Sequence, residues 1–265
     1  MSEQTPTNYN IAALSLELQS STNPQKVAYV CISKNLEVQK HTYIQIDKKS
    51  NQLANLLVAS GVKHEDHIFI YLPRNIENVI SFFGILKTGA VAGVLFSAFE
   101  EQALLDRLLD SQAKIVITSN ELYGRIKKIR HQLPDLKQVI VVGKTNLDNG
   151  DLPFESISNY PESFETVISS PDDNAFMLYT SGSTGKPKGI IHAHRSITQQ
   201  VSSFRQVFNI QPTDNYWCTA DTGWITGVSY ILVAPIATGT TTIFFEGRFD
   251  PEIWYSIIQD QKVNV

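Results

Sequence analysis

The 265 residues, 42% apolar and 18% charged, hold enough material for one large or two modest cores and exclude extensive disorder. A net charge of −4, from 26 acidic and 22 basic side chains, offers no broad cationic surface and excludes a nucleic-acid-binding class. Cys31 and Cys218 are too few and too far apart for a disulfide framework or a metal-ligand cluster, so no metal site is expected.

The N-terminus MSEQTPTNYN has none of the charged-then-apolar order of a leader, and no apolar run approaches the roughly 20 residues that a bilayer requires. The expected setting is cytoplasmic, with no membrane insertion. Residues 27–32 and 36–43 read as two strands about a turn. Asp47 is the expected cap of a helix whose apolar face carries Leu53, Leu56 and Leu57 and which Gly61 stops. A buried strand follows at 67–72, ended by Pro73. Asn75 then caps a helix with Glu77 in its first turn and Gly89 past its end.

Strand and helix go on alternating: a strand at 90–96, a helix at 100–111 with Leu104, Leu105, Leu108 and Leu109 as its stripe, a strand at 114–118, a helix at 121–133 and a strand at 138–142. Near-continuous apolar strands separated by helices predict an α/β fold with largely parallel sheets covered by helices. Arg125, Lys127, Lys128, Arg130 and His131 make the densest basic run; either a solvated helix face or a contact to a phosphorylated ligand accounts for it.

Between 144 and 173 the pattern lapses into Asn, Asp, Gly, Pro and Ser, which suggests a connection between a first part, 1–170, and a second, 171–265. After it come a strand at 175–179, a second apolar run at 190–192, a helix from a Ser196 cap to about Phe208, strands at 216–218 and 240–245, and a helix at 251–259. A last strand opens at 262–265 without room to finish, so the chain is expected to be truncated.

Residues 179–189, YTSGSTGKPKG, place three glycines, four hydroxyl side chains and two lysines between apolar runs. Glycines let backbone amides close on an anion, hydroxyls add donors, and Lys186 and Lys188 add charge, a combination suited to a polyphosphate. Only Ser183 and Thr184 separate Gly182 from Gly185, which excludes a Walker A loop, and the spacing is not that of a dinucleotide fold. On chemistry alone a surface hairpin loop remains the competing reading. His192 and His194 form an H-x-H that lacks further ligands for a metal.

The loop resembles the signature of the acyl-adenylate-forming superfamily, which includes acyl-CoA synthetases, luciferases and the adenylation domains of peptide synthetases. Residues 70–91, the segments KIVITSNEL and DLKQVIVVG, and DTGWITGVSYILVAPIATGTTTIFFEG at 221–247 are similar to further family stretches in the same order, the last especially to acetyl-CoA synthetase-like members. The resemblance implies the N-terminal portion of that fold and an AMP-forming ligase. ATP and a small carboxylic acid form an acyl-adenylate with Mg²⁺, and a thiol, commonly coenzyme A, then captures the acyl group.

By the resemblance, Thr180, Ser181, Gly182, Ser183, Thr184 and Gly185 hold ATP phosphates with Lys188 assisting, and Trp224, Ile225 and Thr226 line the acyl and coenzyme A pocket. For Trp224, plain core packing is the alternative. Val228 stands where many relatives carry a histidine. The family's adenine-binding segment, ribose-binding aspartate and C-terminal lysine are not among these residues, so no catalytic residue is assigned and the chain alone is expected to be inactive. Two other readings stay open: an adenylation domain that loads a carrier protein, and a non-catalytic nucleotide-binding half-domain.

Overall fold

A computed structural model describes residues 8–181 and 186–265. The strands are β1 (Val27–Ile32), β2 (Val38–Thr42), β3 (His67–Tyr71), β4 (Val91–Val94), β5 (Ile115–Ser119), β6 (Gln138–Val142), β7 (Leu152–Pro153), β8 (Asn174–Thr180), β9 (Lys188–Ala193), β10 (Asn215–Tyr216) and β11 (Thr241–Phe245). The helices are α1 (Leu18–Thr22), α2 (Tyr43–Ala59), α3 (Ile76–Lys87), α4 (Glu101–Asp110), α5 (Asn120–Ile129), α6 (Ser196–Phe208), α7 (Ile225–Gly227), α8 (Ala234–Thr238) and α9 (Pro251–Asp260). Seven strands form one sheet in the order β7-β6-β5-β3-β4-β8-β9, parallel except for the β8–β9 hairpin. Four form a second, β10-β11-β1-β2, in which β2 alone runs antiparallel to its neighbour.

Strand side chains alternate between two cores. Ile68, Ile70, Ala92, Val94, Ile115 and Ile117 pack on α2 and α3, whereas Phe69, Tyr71, Val91, Leu95 and Val116 pack on α4 and α5. Both faces are therefore dry, which is why these strands read as unbroken apolar runs. Helix α3 is buried from Asn78 to Lys87 because the sheet covers one side and α2 the other. The second sheet alternates likewise: Tyr29 and Phe244 join the core shared with α2 and α3, while Val30, Ile32, Ile243 and Phe245 are covered by α9.

The caps show where local signals decide the outcome. Asn75 Oδ1 accepts the Asn78 N–H at 3.0 Å, as its position before α3 predicts. Gly89, with φ of +75°, ends that helix close to the His64 side chain, where a Cβ would lie 2.8 Å from Cδ2. Asp47 is not the cap of α2. Thr42 is, with Gln45 completing a capping box, because Thr42 has extended backbone and Gln45 stands three residues on. Asp47 lies a turn inside the helix and faces Lys87 instead. Nor does Ser196 cap α6; it is the first helical residue, and its Oγ is buried without a hydrogen-bond partner among the described residues.

Hydrogen bonding runs across residue 170. β8 pairs with β4 and β11 with β1, so the strands after the connection complete both sheets begun before it. The break expected there is a break in local pattern and does not separate two sheets. Side-chain amides from α2 hold the irregular stretch in place: Asn51, Gln52 and Asn55 donate to the carbonyls of Glu162, Tyr160, Pro161 and Ser163. At the far end, Asn264 N–H donates to Asn215 O at 3.1 Å and Trp217 N–H to Val265 O at 3.0 Å, alongside β10. Among the described residues, no helix is long and apolar enough to cross a membrane.

Lys87, at the end of α3, is fully buried, and its ammonium donates to Glu17 Oε1, Asp47 Oδ1 and Asn51 Oδ1, each at 2.7 Å. All three N–H donors are used, and the cluster ties the N-terminal segment to α2 and α3. Replacing Lys87 with Met removes the one cation of the cluster and leaves the Glu17 and Asp47 carboxylates without a counter-charge. The Lys87→Met chain is expected to lose about 3–5 kcal/mol in urea unfolding, and Asp47→Asn, which keeps an acceptor oxygen, markedly less.

Candidate functional site

Parallel strands of both sheets deliver their carboxyl ends to one region. β3 exits through Leu72, Pro73 and Arg74, β4 through Leu95, Phe96 and Ser97, β11 through Glu246, Gly247 and Arg248, and β1 through Ser33 and Lys34. The chain moves from β3 to β4, then crosses back to β5 on the other side of β3. Such a reversal places successive helices on opposite faces and opens a crevice at the strand ends, where ligands of open α/β sheets bind. A chamber of about 700 Å³ lies there.

Four cations line it. Lys34 reaches Glu121 at 3.1 Å; Arg125 donates to Glu100 at 2.8 Å and to the Tyr71 hydroxyl at 2.8 Å; Arg74 donates to the Thr219 and Gly247 carbonyls, each at 2.9 Å. Arg248 is exposed and forms no ion pair with any described residue. The basic run on α5 therefore divides. Arg125 faces the chamber, whereas Lys128 pairs with Glu101 at 2.7 Å and Arg130 with buried Asp151 at 2.5 Å.

The wall above β4 is residues 219–228. An added Cβ on Gly223 would sit 2.5 Å from the Phe96 backbone N and Cα, and one on Gly227 would sit 2.0 Å from the Asp221 carbonyl, so the segment lies directly on the exit of β4. Asp221 Oδ1 accepts the Gly223 N–H at 2.8 Å, and Asn78 Nδ2 donates to Thr222 Oγ1 at 3.0 Å. Burial pushes the Asp221 carboxyl above the ordinary carboxylate range, while the Gly223 N–H and the Arg74 guanidinium pull it part of the way back.

Trp224 is not packed into the core. It is 49% exposed, with its ring 5.9 Å from that of Phe96, and Ile225 and Thr226 beside it are exposed as well. Val228, by contrast, is fully buried among Ile231, Leu232 and Ile236. The structure thus brings Trp224, Ile225 and Thr226 onto one exposed turn next to the chamber. Sequence reasoning did not single out Arg74, Asp221 or Arg248. An arginine directly after the Pro73 strand stop and an aspartate opening the DTGW run were the available signals.

The glycine-rich loop is the tip of the β8–β9 hairpin, one strand further along from β4. Thr180 and Lys188 face each other across the hairpin, and Thr180, Ser181, Lys186 and Lys188 are exposed. Gly182, Ser183, Thr184 and Gly185 lie outside the described residues. The hairpin is rooted at Tyr179, whose buried hydroxyl donates to Asp110 Oδ2 at 2.7 Å.

The two histidines of the H-x-H go separate ways: His192 stacks on Phe176 at 4.6 Å, and His194 Nδ1 accepts the Ile11 N–H at 3.0 Å. No group of three His, Cys, Asp or Glu suited to a metal occurs among the described residues. The two cysteines are both free, and burial beside Glu77 and Glu246 pushes Cys31 up to about 12.

The family profile of AMP-binding enzymes matches residues 16–265. The chain is 40% identical over 233 residues to the acetyl-coenzyme A synthetase of Bacillus subtilis, covering 86% of this chain and 40% of that protein. It is 36% identical over 276 residues to that of Pasteurella multocida, covering 97% and 42%. A solved acyl-CoA synthetase from Brucella canis superposes on the whole chain with a TM-score of 0.90 at 26% identity, over 48% of its own length. The chain belongs to the AMP-binding enzyme family, and it spans about two fifths of the length of the acetyl-coenzyme A synthetases it matches.

Two outcomes follow for the wall and the hairpin. Gly223→Ala drives a Cβ into backbone that has no rotamer to escape through, so a loss of about 1–3 kcal/mol is expected in chemical denaturation. His194, almost wholly buried, is pushed down to about 4 by burial, against Asp173 and with His64. Its folded pKa lies below the roughly 6.5 of an unfolded imidazole, so the unfolded chain takes up the proton first as pH falls. The contribution, about 3 kcal/mol, is complete above pH ~6.5 and is lost between there and pH ~4. Urea melts across that window should show the slope, and His194→Gln should flatten it.

Proposed function

We propose that this chain is the ATP- and thiol-facing front part of an AMP-forming carboxylic acid:coenzyme A ligase. The observation that carries the reading is the placement of three things at the strand ends: the Thr180–Lys188 hairpin tip, the exposed Trp224–Ile225–Thr226 turn, and a cation-lined chamber between the sheets. Identity to acetyl-coenzyme A synthetases over nearly the whole chain supports it.

In this reading Thr180, Ser181 and Lys188, with Gly182, Ser183, Thr184 and Gly185 by resemblance, grip the β- and γ-phosphates of ATP. The carboxylate attacks the α-phosphate, pyrophosphate leaves and an acyl-adenylate forms; the coenzyme A thiol then displaces AMP to give the thioester. Charge builds on the phosphoryl oxygens in the first step, so fixed donors and Lys188 act by stabilising it. Trp224 walls the acyl group, with Ile225 and Thr226 beside it, and a broad indole favours a short acid. The described residues gather no carboxylate cluster for Mg²⁺, so no step on this chain is assigned to it.

The phosphates of coenzyme A fit the chamber, where Arg248 has its guanidinium uncommitted to any described acid and Arg125 and Lys34 stand nearby. This favours coenzyme A over a carrier protein as the thiol donor. Calorimetric titration with coenzyme A and with pantetheine tests it. Coenzyme A is expected to bind, pantetheine more weakly, and Arg248→Ala to weaken coenzyme A about tenfold, the scale of one charge-assisted contact. Equal binding of both ligands would overturn the assignment. Acid-dependent ATP–pyrophosphate exchange is expected only from a polypeptide that also carries the family's adenine-binding segment and C-terminal lysine.

A further inference from the structure

Arg74 occupies an unusual position between the two sheets. Pro73 stops β3 immediately before it and Asn75 caps α3 immediately after it, so its backbone is fixed from both sides. Its two terminal nitrogens then reach into the other sheet: Nη1 donates to the carbonyl of Thr219, beyond β10, and Nη2 to that of Gly247, beyond β11, each at 2.9 Å. One side chain from the seven-stranded sheet thereby grips the exits of two neighbouring strands of the four-stranded sheet.

What those two carbonyls lead to gives the contact its meaning. Two residues after Thr219 stands Asp221, whose carboxyl feels the Arg74 charge. Next come Thr222, held by Asn78, and Gly223, laid on the Phe96 backbone, and the run ends at exposed Trp224, Ile225 and Thr226. One residue after Gly247 stands Arg248, on the other side of the same chamber. Asn78 and Phe96 hold the first segment alone; Arg74 holds both.

We infer that Arg74 is a positioning residue that sets the spacing between the acyl-facing wall and the anion-facing Arg248. The consequence for ligand binding rests on the ligase reading above; the tether itself does not. A planar guanidinium serves two carbonyls at once from a fixed fork, whereas an ammonium is a single point of charge that cannot reproduce the fork. Lysine is therefore a partial substitute and alanine none.

Hydrogen exchange and coenzyme A titration on the wild-type chain, Arg74→Lys and Arg74→Ala test the inference. In Arg74→Ala, amide exchange should rise about tenfold in residues 219–228 and 246–249, the loss expected for hydrogen bonds from a charged donor, while β5 and β6 keep their protection. Arg74→Lys should fall between, and coenzyme A affinity should drop in the same order. Unchanged exchange in both variants, or a rise of the same size in every strand, would overturn the inference. Exchange that responds as expected in a wild-type chain with no affinity for coenzyme A would leave the tether standing and remove the ligase reading.

Discussion

Everything at the carboxyl edge of the parallel strands depends on one reversal of direction around β3. The chain steps from β3 to β4 and then crosses back to β5, so α3 lies on one face of the sheet while α4 and α5 lie on the other. Strands in that position have no wet face, which demands apolar residues at consecutive positions such as Ile68 to Leu72. The same reversal parts the helices at the carboxyl ends of the strands. Chamber, wall and hairpin tip all open onto that edge because the covalent path leaves nowhere else for the strand exits to gather.

Electrostatics at the edge follow a division of labour. Lys34 and Arg125 are steadied by Glu121 and Glu100, Arg74 by two carbonyls, and Arg248 by no described acid. A cation already held by a carboxylate keeps its geometry when a ligand arrives but contributes little new attraction, since one interaction is exchanged for another. The chamber therefore combines a pre-set frame with one side chain whose charge is directed at the solvent.

Much of the fold was legible because its signals are local. Asn75 before an apolar periodic run and Gly89 after it mark α3 to the residue, and the alternation through β6 follows from strands buried on both faces. The cap of α2 was misplaced on Asp47 because an aspartate has two uses, capping and ion pairing, and only the remote Lys87 decides between them. The pairing of β1 with β11 joins segments more than 200 residues apart and leaves no trace in either sequence window. Hence the polar stretch at 144–173 read as a border, although the strands beyond it return to the sheets begun before it.

At the site the same distinction holds. The glycine-rich hairpin announced itself by composition, and Trp224 by its place in the DTGW run, but whether that indole faced core or solvent was a matter of tertiary packing. Arg248 left no signal in the sequence and Arg74 only its place after Pro73, because each gains significance from a partner on another sheet or from the lack of one among the described acids.

The Lys87 cluster has more anions than cations, and that asymmetry decides which of its members can be replaced alone. Its three acceptors belong to one helix, α2, and the segment leading into α1, and the ammonium has no exposed surface through which water might stand in for a lost partner. Losing Lys87 alone leaves two carboxylates with no cation between them, whereas losing Glu17 or Asp47 leaves one ammonium opposite one carboxylate, a balanced pair. Replacement is therefore less costly at either carboxylate than at the lysine, through which the segment leading into α1 is tied to a helix some seventy residues away.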